Sequence, residues 1–180
     1  NYVINSGKCR YCGEKYSIRY PLIELSNGFL YGAIALKYGY NLASVLYCIL
    51  GSILITISVI DLKHKIIPDS LNMAIAAIGI IFVINDNSII SDRLLGALIG
   101  FALFFAIALA TDAMGGGDIK LTAGLGAIFG VEGILFIIFF AFVIGAVISV
   151  ALLITKIKGR KDEIPFGPFI SAATLIHILW

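Results

Sequence analysis

Charge is the scarcest commodity in this sequence. Of its 180 residues only 13% are Asp, Glu, Lys or Arg, while 60% are apolar. A soluble domain carries about 25% charged residues and about 45–50% apolar ones. Too little polar surface remains to coat a globule of this size, which excludes an ordinary cytosolic enzyme and a disordered tail. The net charge of +2 excludes a nucleic-acid module, so no nucleic-acid partner is expected. Cysteine is also rare: Cys9 and Cys12 form a C-x-x-C pair, and Cys48 stands alone in an apolar run. An odd count with one close pair argues against a disulfide framework, and Cys48 reads as a packing residue of the membrane core. His64 and His177 are the only histidines, and no Ser-His-Asp arrangement follows from them. No charged segment, short apolar run and small-residue cleavage site open the chain, so no secretory signal is read. A start at Asn1 rather than Met leads us to expect a segment of a longer protein. The remaining class is an all-α, polytopic integral membrane helix bundle, with the lipid bilayer as its partner.

What the sequence does have is long runs without charge. Residues 38–60, 70–85, 94–111, 133–155 and 164–180 contain no Asp, Glu, Lys or Arg. A bilayer helix needs about 20 apolar residues, with a range of about 17–25. Four of these windows fit, and 70–85 fits if a flanking residue snorkels. Two shorter windows complete the set. Leu25–Leu36 extends to Pro21–Tyr40 with Glu24 and Lys37 at the two interfaces, and Leu121–Val131 follows three glycines. With both spanning there are about seven transmembrane helices. The loops of one face then carry Lys8, Arg10, Lys15, Arg19, Lys63, Lys65, Lys120 and the basic cluster of 156–161, and the other face carries Lys37 and Arg93. The positive-inside rule puts the rich face in the cytoplasm. Without a span at Leu121–Val131 the cluster of 156–161 changes side and the asymmetry vanishes. Gly96-x-x-x-Gly100 and Gly126-x-x-x-Gly130 are small-residue faces of the kind that let helices approach closely in lipid, although such spacings also arise by chance in a Gly-rich chain.

Two carboxylates fall on the cytoplasmic face of this topology. An ionised carboxylate at bilayer depth costs about 2.5–3.5 kcal/mol on insertion scales, so such residues tend to be functional or paired. Asp61 closes the helix Leu42–Ile60; its bland alternative is a helix stop tied to Lys63 or Lys65. Asp118 follows Gly115-Gly116-Gly117; its bland alternative is the N-cap of the next helix, with Lys120 as a neutralising neighbour. The glycines permit unusual backbone and close approach of another chain. Two carboxylates on one face suggest an aspartyl hydrolase, because like charges at close range share a proton. The pair titrates as a unit, and acid and base are not assigned individually. The competing class is a carrier that uses Asp61 and Asp118 as proton or cation sites. Such a carrier is expected to show inverted repeats or broken helices, and no internal repeat is visible.

Gly115-Gly116-Gly117-Asp118 reads as G-x-G-D, and with Asp61 upstream it resembles the G-x-G-D intramembrane aspartyl proteases. Lys8-Cys9-Arg10-Tyr11-Cys12, Arg19 through Leu25, Ile60-Asp61 through Ile67-Pro68-Asp69, Met114 through Leu121, and Ile164-Pro165-Phe166-Gly167-Pro168 look like segments of the bacterial type 4 prepilin peptidases, in the same order. The resemblance implies an inner-membrane, multi-pass endopeptidase that removes the basic leader from type IV prepilins or type II secretion pseudopilins, cutting after Gly at the cytoplasmic face. It makes Asp61 and Asp118 the catalytic pair, with Gly115, Gly117 and Lys120 in support, and leaves Asp69 and Asp112 structural. A G-x-G-D relative cutting other membrane proteins is a second alternative. Residues 1–20 would be the remnant of a cytoplasmic Cys-containing loop, 21–40 the first membrane helix, and 41–180 a six-helix protease domain. The resemblance further implies N-methylation with S-adenosylmethionine in the intact protein. Peptide cleavage itself needs no cofactor. Cys9 and Cys12 form half of a zinc site of the family, and two thiolates do not close a tetrahedral site. We also expect Gly115–Gly117 to act as a flexible loop that admits an unwound substrate.

Overall fold

Helices form where the charges stop. The computed structural model describes residues 7, 12–15, 17–85, 90–111, 114–156 and 164–180. Its elements are α1 (Arg19–Tyr38), α2 (Leu42–His64), α3 (Asp69–Asn85), α4 (Ile90–Thr111), α5 (Gly116–Ile154) and α6 (Gly167–Leu179). The chain divides into two compact units, Asn1–Gly51 and Ser52–Trp180, and α2 runs through the division. Large apolar side chains stand outward along the helices: α4 alone exposes Leu94, Leu95, Leu98, Phe101, Phe105 and Leu109. A water-soluble monomer rarely tolerates an apolar face of that extent, whereas lipid accepts it.

In the first unit, α1 ends at Gly39, whose positive φ of 72° closes the helix. Asn41 then starts α2 by accepting the Ser44 main-chain N–H at 2.9 Å, the usual work of an N-terminal Asn. Leu30, Ile34, Leu46 and Leu50 are buried. Cys48 is half-buried and lines an open apolar groove with Tyr31, Ala35, Val45 and Ile49.

The second unit is built around α5. This element is continuous in range but broken at Gly130, which has φ 70° and ψ −167°. The break reverses the chain. A Cβ built on Gly100 would stand 2.5 Å from the carbonyl oxygen of Thr122 and 3.3 Å from Cγ1 of Ile134. A straight helix would separate residues 122 and 134 by about 18 Å, so the limbs 116–129 and 131–154 fold back on each other. Adjacent residues of α4 cap both limbs at the reversal. Asp92 accepts the Val131 main-chain N–H at 3.4 Å. Arg93 is buried, donates to the carbonyl of Ile128, and lies over the Phe82 ring. A carboxylate at a helix start and a cation at a helix end both match the helix dipole. The carbonyl oxygens offset the cost of burying the guanidinium.

The two glycine pairs turn out to face one another. Cβ atoms on Gly96 and on Gly126 would run into the main chain of the opposite helix, so α4 and the first limb touch backbone to backbone. On its other side the first limb packs on α3, with Gly124 against Ile75 and Gly79 against Ala127. The limb is therefore enclosed, which explains why it is apolar nearly all round. The sequence predicts about seven crossings. Among the described residues three helices, α2, α4 and α5, are long and apolar enough to cross a membrane, while α3 and α6 are shorter apolar helices.

Candidate functional site

Asp61 and Asp118 lie at one end of the second unit, where α2 finishes and where α3, α5 and α6 begin. The predicted helix end at Ile60 is extended. α2 continues to His64, the Asp61 carbonyl accepts the Lys65 N–H at 2.8 Å, and Lys65 closes the helix with a positive φ of 54°. Asp61 thus stands in the last turn and is 5% exposed. Its Oδ2 accepts the main-chain N–H of Gly167 at 3.0 Å, a partner contributed by the start of α6 rather than by a neighbouring lysine.

The three glycines before Asp118 behave differently from expectation. Gly115 is the N-cap of α5, and Gly116 and Gly117 already belong to its first turn. Asp118 is therefore the third helical residue, with its own N–H donated to the Gly115 carbonyl at 3.1 Å. No described glycine of the three adopts a positive φ. Close approach, not unusual backbone, is what the run provides. A Cβ on Gly117 would stand 2.9 Å from Cβ of Ile67, whereas one on Gly116 would meet nothing within 4 Å. The Asp118 Oδ1 is buried without a hydrogen-bond partner among the described residues.

Ile67 joins the two halves. It packs on Gly117 on one side, and its Cδ1 approaches within 3.2 Å of a Cβ built on Gly167. Asp61, held by the Gly167 N–H, and Asp118, next to Gly117, stand on either side of this contact. Lys120, expected in support, reaches across to α3 and pairs with Asp69 at 2.8 Å. Both side chains are more than half exposed, so the pair fixes register more than it stabilises. Asp69, read from the sequence as structural, is occupied by this pair; Asp112 lies outside the described residues.

Asn72 is a site residue that the sequence reading missed. It is 5% exposed on α3, and its Nδ2 donates to the Gly117 carbonyl at 3.2 Å. Its Oδ1 is also buried without a partner among the described residues. The available signal was a polar residue on the buried stripe Asn72, Ile75, Gly79, Phe82 of an apolar helix. Thr122 adds a second tie, with its hydroxyl within hydrogen-bond distance of the Gly100 and Asp118 carbonyls. Of the cysteine pair, Cys12 is exposed and Cys9 lies outside the described residues. Among the described residues no three His, Cys, Asp or Glu side chains gather as metal ligands, so no zinc set can be assembled from them.

Comparison with known proteins gives this end of the molecule a context. The model of the Type IV leader peptidase family matches residues 48–150, which include Asp61 and Asp118, and that of the Bacterial Peptidase A24 N-terminal domain matches 1–38. A prepilin leader peptidase/N-methyltransferase of Xanthomonas campestris pv. campestris is 35% identical over 97% of this chain and 63% of its own length. The protein of that name from Neisseria gonorrhoeae is 33% identical over 96% of this chain and 62% of its own. The one from Bacillus subtilis is 31% identical over the whole chain and 73% of its own length. The chain thus spans less than two thirds of the first two relatives. No solved structure matches. The match over residues 48–150 covers more than half of the chain and takes in both carboxylates: the chain belongs to the type IV leader peptidase family.

Proposed function

We propose that this chain carries the catalytic part of a membrane aspartyl endopeptidase. It removes the basic leader from type IV prepilins or type II secretion pseudopilins at the cytoplasmic face of the bacterial inner membrane. What supports this reading is that Ile67 packs between Gly167, which holds Asp61, and Gly117, which adjoins Asp118, in a chain of the leader peptidase family. In this reading the seven apolar helical segments, counting both limbs of α5, all cross the bilayer. Residues 1–20 end a cytoplasmic loop, 21–40 form the first membrane helix, and 41–180 form the protease domain.

The chemistry follows from two acids that share one proton. The ionised carboxylate takes a proton from water as the water oxygen attacks the scissile carbonyl. The protonated carboxylate hydrogen-bonds the carbonyl oxygen, and a proton then passes to the departing amide nitrogen as the C–N bond breaks. A substrate helix resists this chemistry because its amides are hydrogen-bonded and sheathed in lipid. A cut near the interface, beside a glycine that weakens the helix, lowers that barrier. The relatives' names suggest N-methylation as well. We propose it for the intact protein on those names alone, and assign none of the described residues to the methyl donor.

The test is direct. The full chain, reconstituted in lipid, is incubated with a synthetic peptide carrying a basic leader, a Gly–Phe junction and an apolar helix. Mass spectrometry is expected to show hydrolysis after the Gly. Persistently intact peptide would remove the reading. Asn72→Ala, which takes the Nδ2–H from the Gly117 carbonyl, is expected to lower turnover about tenfold through misplacement of Asp118. The same change lowers stability by about 1 kcal/mol, read as a small fall in the thermal midpoint.

A further inference from the structure

The Ile164-Pro165-Phe166-Gly167-Pro168 block was singled out by sequence, yet the carboxylate pair does not by itself account for it. Its glycine is buried at the first position of α6. Two observations converge on this residue. Its N–H donates to Oδ2 of Asp61 at 3.0 Å. A Cβ added to it would stand 2.7 Å from that same oxygen and 3.3 Å from the carboxyl carbon. A methyl there would have to push the Asp61 carboxylate aside, so glycine is what lets the backbone reach it at hydrogen-bonding distance.

The turn is also held from behind. Phe166 packs against Phe142 at 5.0 Å, and against Phe104 and Phe169, each at 5.8 Å between ring centroids. These rings come from α4, the second limb of α5 and α6. Phe104 is fully buried. A proline in the first turn sets the helical backbone at the start of α6. An added Cβ therefore has little freedom to move the turn, and the strain falls on the carboxylate.

We propose that Gly167 is the positioning residue for Asp61. Its main-chain N–H, at the positive end of the α6 dipole, fixes one oxygen of the carboxylate and thereby aims the other at the water and the proton shared with Asp118. This rests on the peptidase reading above. Charge-assisted hydrogen bonds of this kind also fix geometry, and a small misplacement of a reacting group costs up to about 100-fold in rate.

Two variants of the full chain test it against the synthetic prepilin peptide. Gly167→Ala pushes the carboxylate aside, and glycolic acid incorporated at 167 removes the N–H without adding an atom to the side chain. Both are expected to lower kcat by about 10–100-fold with KM unchanged. The glycolate variant keeps its thermal midpoint within a few degrees and decides the matter if Gly167→Ala fails to fold. Wild-type kcat in the glycolate variant overturns the proposal, as does a rise in KM alone. Recovery of turnover on adding Ile67→Val to Gly167→Ala also overturns it, because packing against Ile67 would then carry the effect. A wild-type chain that leaves the peptide intact removes the peptidase reading and this proposal with it; an active wild type with an unaffected glycolate variant removes this proposal alone.

Discussion

Asp61→Asn and Asp118→Asn are each expected to reduce prepilin cleavage by at least about 10³-fold, with the helices intact. Each substitution keeps the volume of the side chain and removes its capacity to exchange a proton. General acid–base catalysis contributes about 10²–10⁴-fold for one positioned group. In the proposed mechanism the two carboxylates share one proton, so neither retains its role when the other is lost. For that reason the double variant is expected to be little slower than either single one, as happens when residues act as a unit. Single-turnover cleavage of the synthetic peptide measures the rates, and far-UV circular dichroism with size-exclusion chromatography checks the fold. Turnover near the wild-type rate in either well-folded variant would sink the two-carboxylate mechanism. The amide oxygen introduced at position 61 can still accept the Gly167 N–H, so loss of activity there reports on proton chemistry rather than on a displaced α6.

The largest effect on stability is expected at Gly126. An added Cβ collides with the carbonyl of Gly96 and comes within 2.7 Å of the Ala97 nitrogen. These are main-chain atoms of α4, which cannot swing aside as a flexible side chain can. Overpacking typically costs about 1–3 kcal/mol and sometimes more, so Gly126→Ala is expected to cost about 3 kcal/mol. Gly126→Val is expected not to fold. The loss reaches the site because the displaced limb carries Asp118 at its start. Gly28 on α1 supplies the contrast: nothing lies within 4 Å of a Cβ there. Gly28→Ala is expected to be neutral or to stabilise α1 by about 0.5–1 kcal/mol, the propensity difference between the two residues. Thermal and detergent-induced unfolding of the purified chain compares the three. Equal midpoints for Gly28→Ala and Gly126→Ala would show that the glycine faces do not hold α4 against α5.

Much of this architecture could be read from the placement of charge. The charge-free windows anticipated the positions of the helices, because lipid and a packed core both reject unpaired ionised groups. The separation of 121–131 from 133–155 could be read only from the side on which the basic residues of 156–161 fall. The reversal at Gly130 gives that separation a local cause, which Asp92 and Arg93 enforce from α4. Periodicity could not have revealed it, since both limbs are apolar on nearly every face. The facing of the two glycine pairs was not legible either. Each G-x-x-x-G spacing is uninformative alone, and only their mutual contact distinguishes them from chance.

The sequence by itself determined that this is an apolar all-helical chain, and which two acids stand where burial makes a carboxylate costly. It also offered Asp69 as structural and Gly117 as a place of close approach. Only the tertiary structure decided how those acids are held. It set Asp61 one turn inside its helix, under an N–H from a segment remote in the chain. It placed Asp118 at the third position of a helix instead of in a loop, and tied its turn to α3 through Asn72. The reason is physical. Hydropathy and charge are properties of each residue and are written in order along the chain. A hydrogen bond across the bundle depends on how closely two backbones approach, and that distance exists only once every helix has packed.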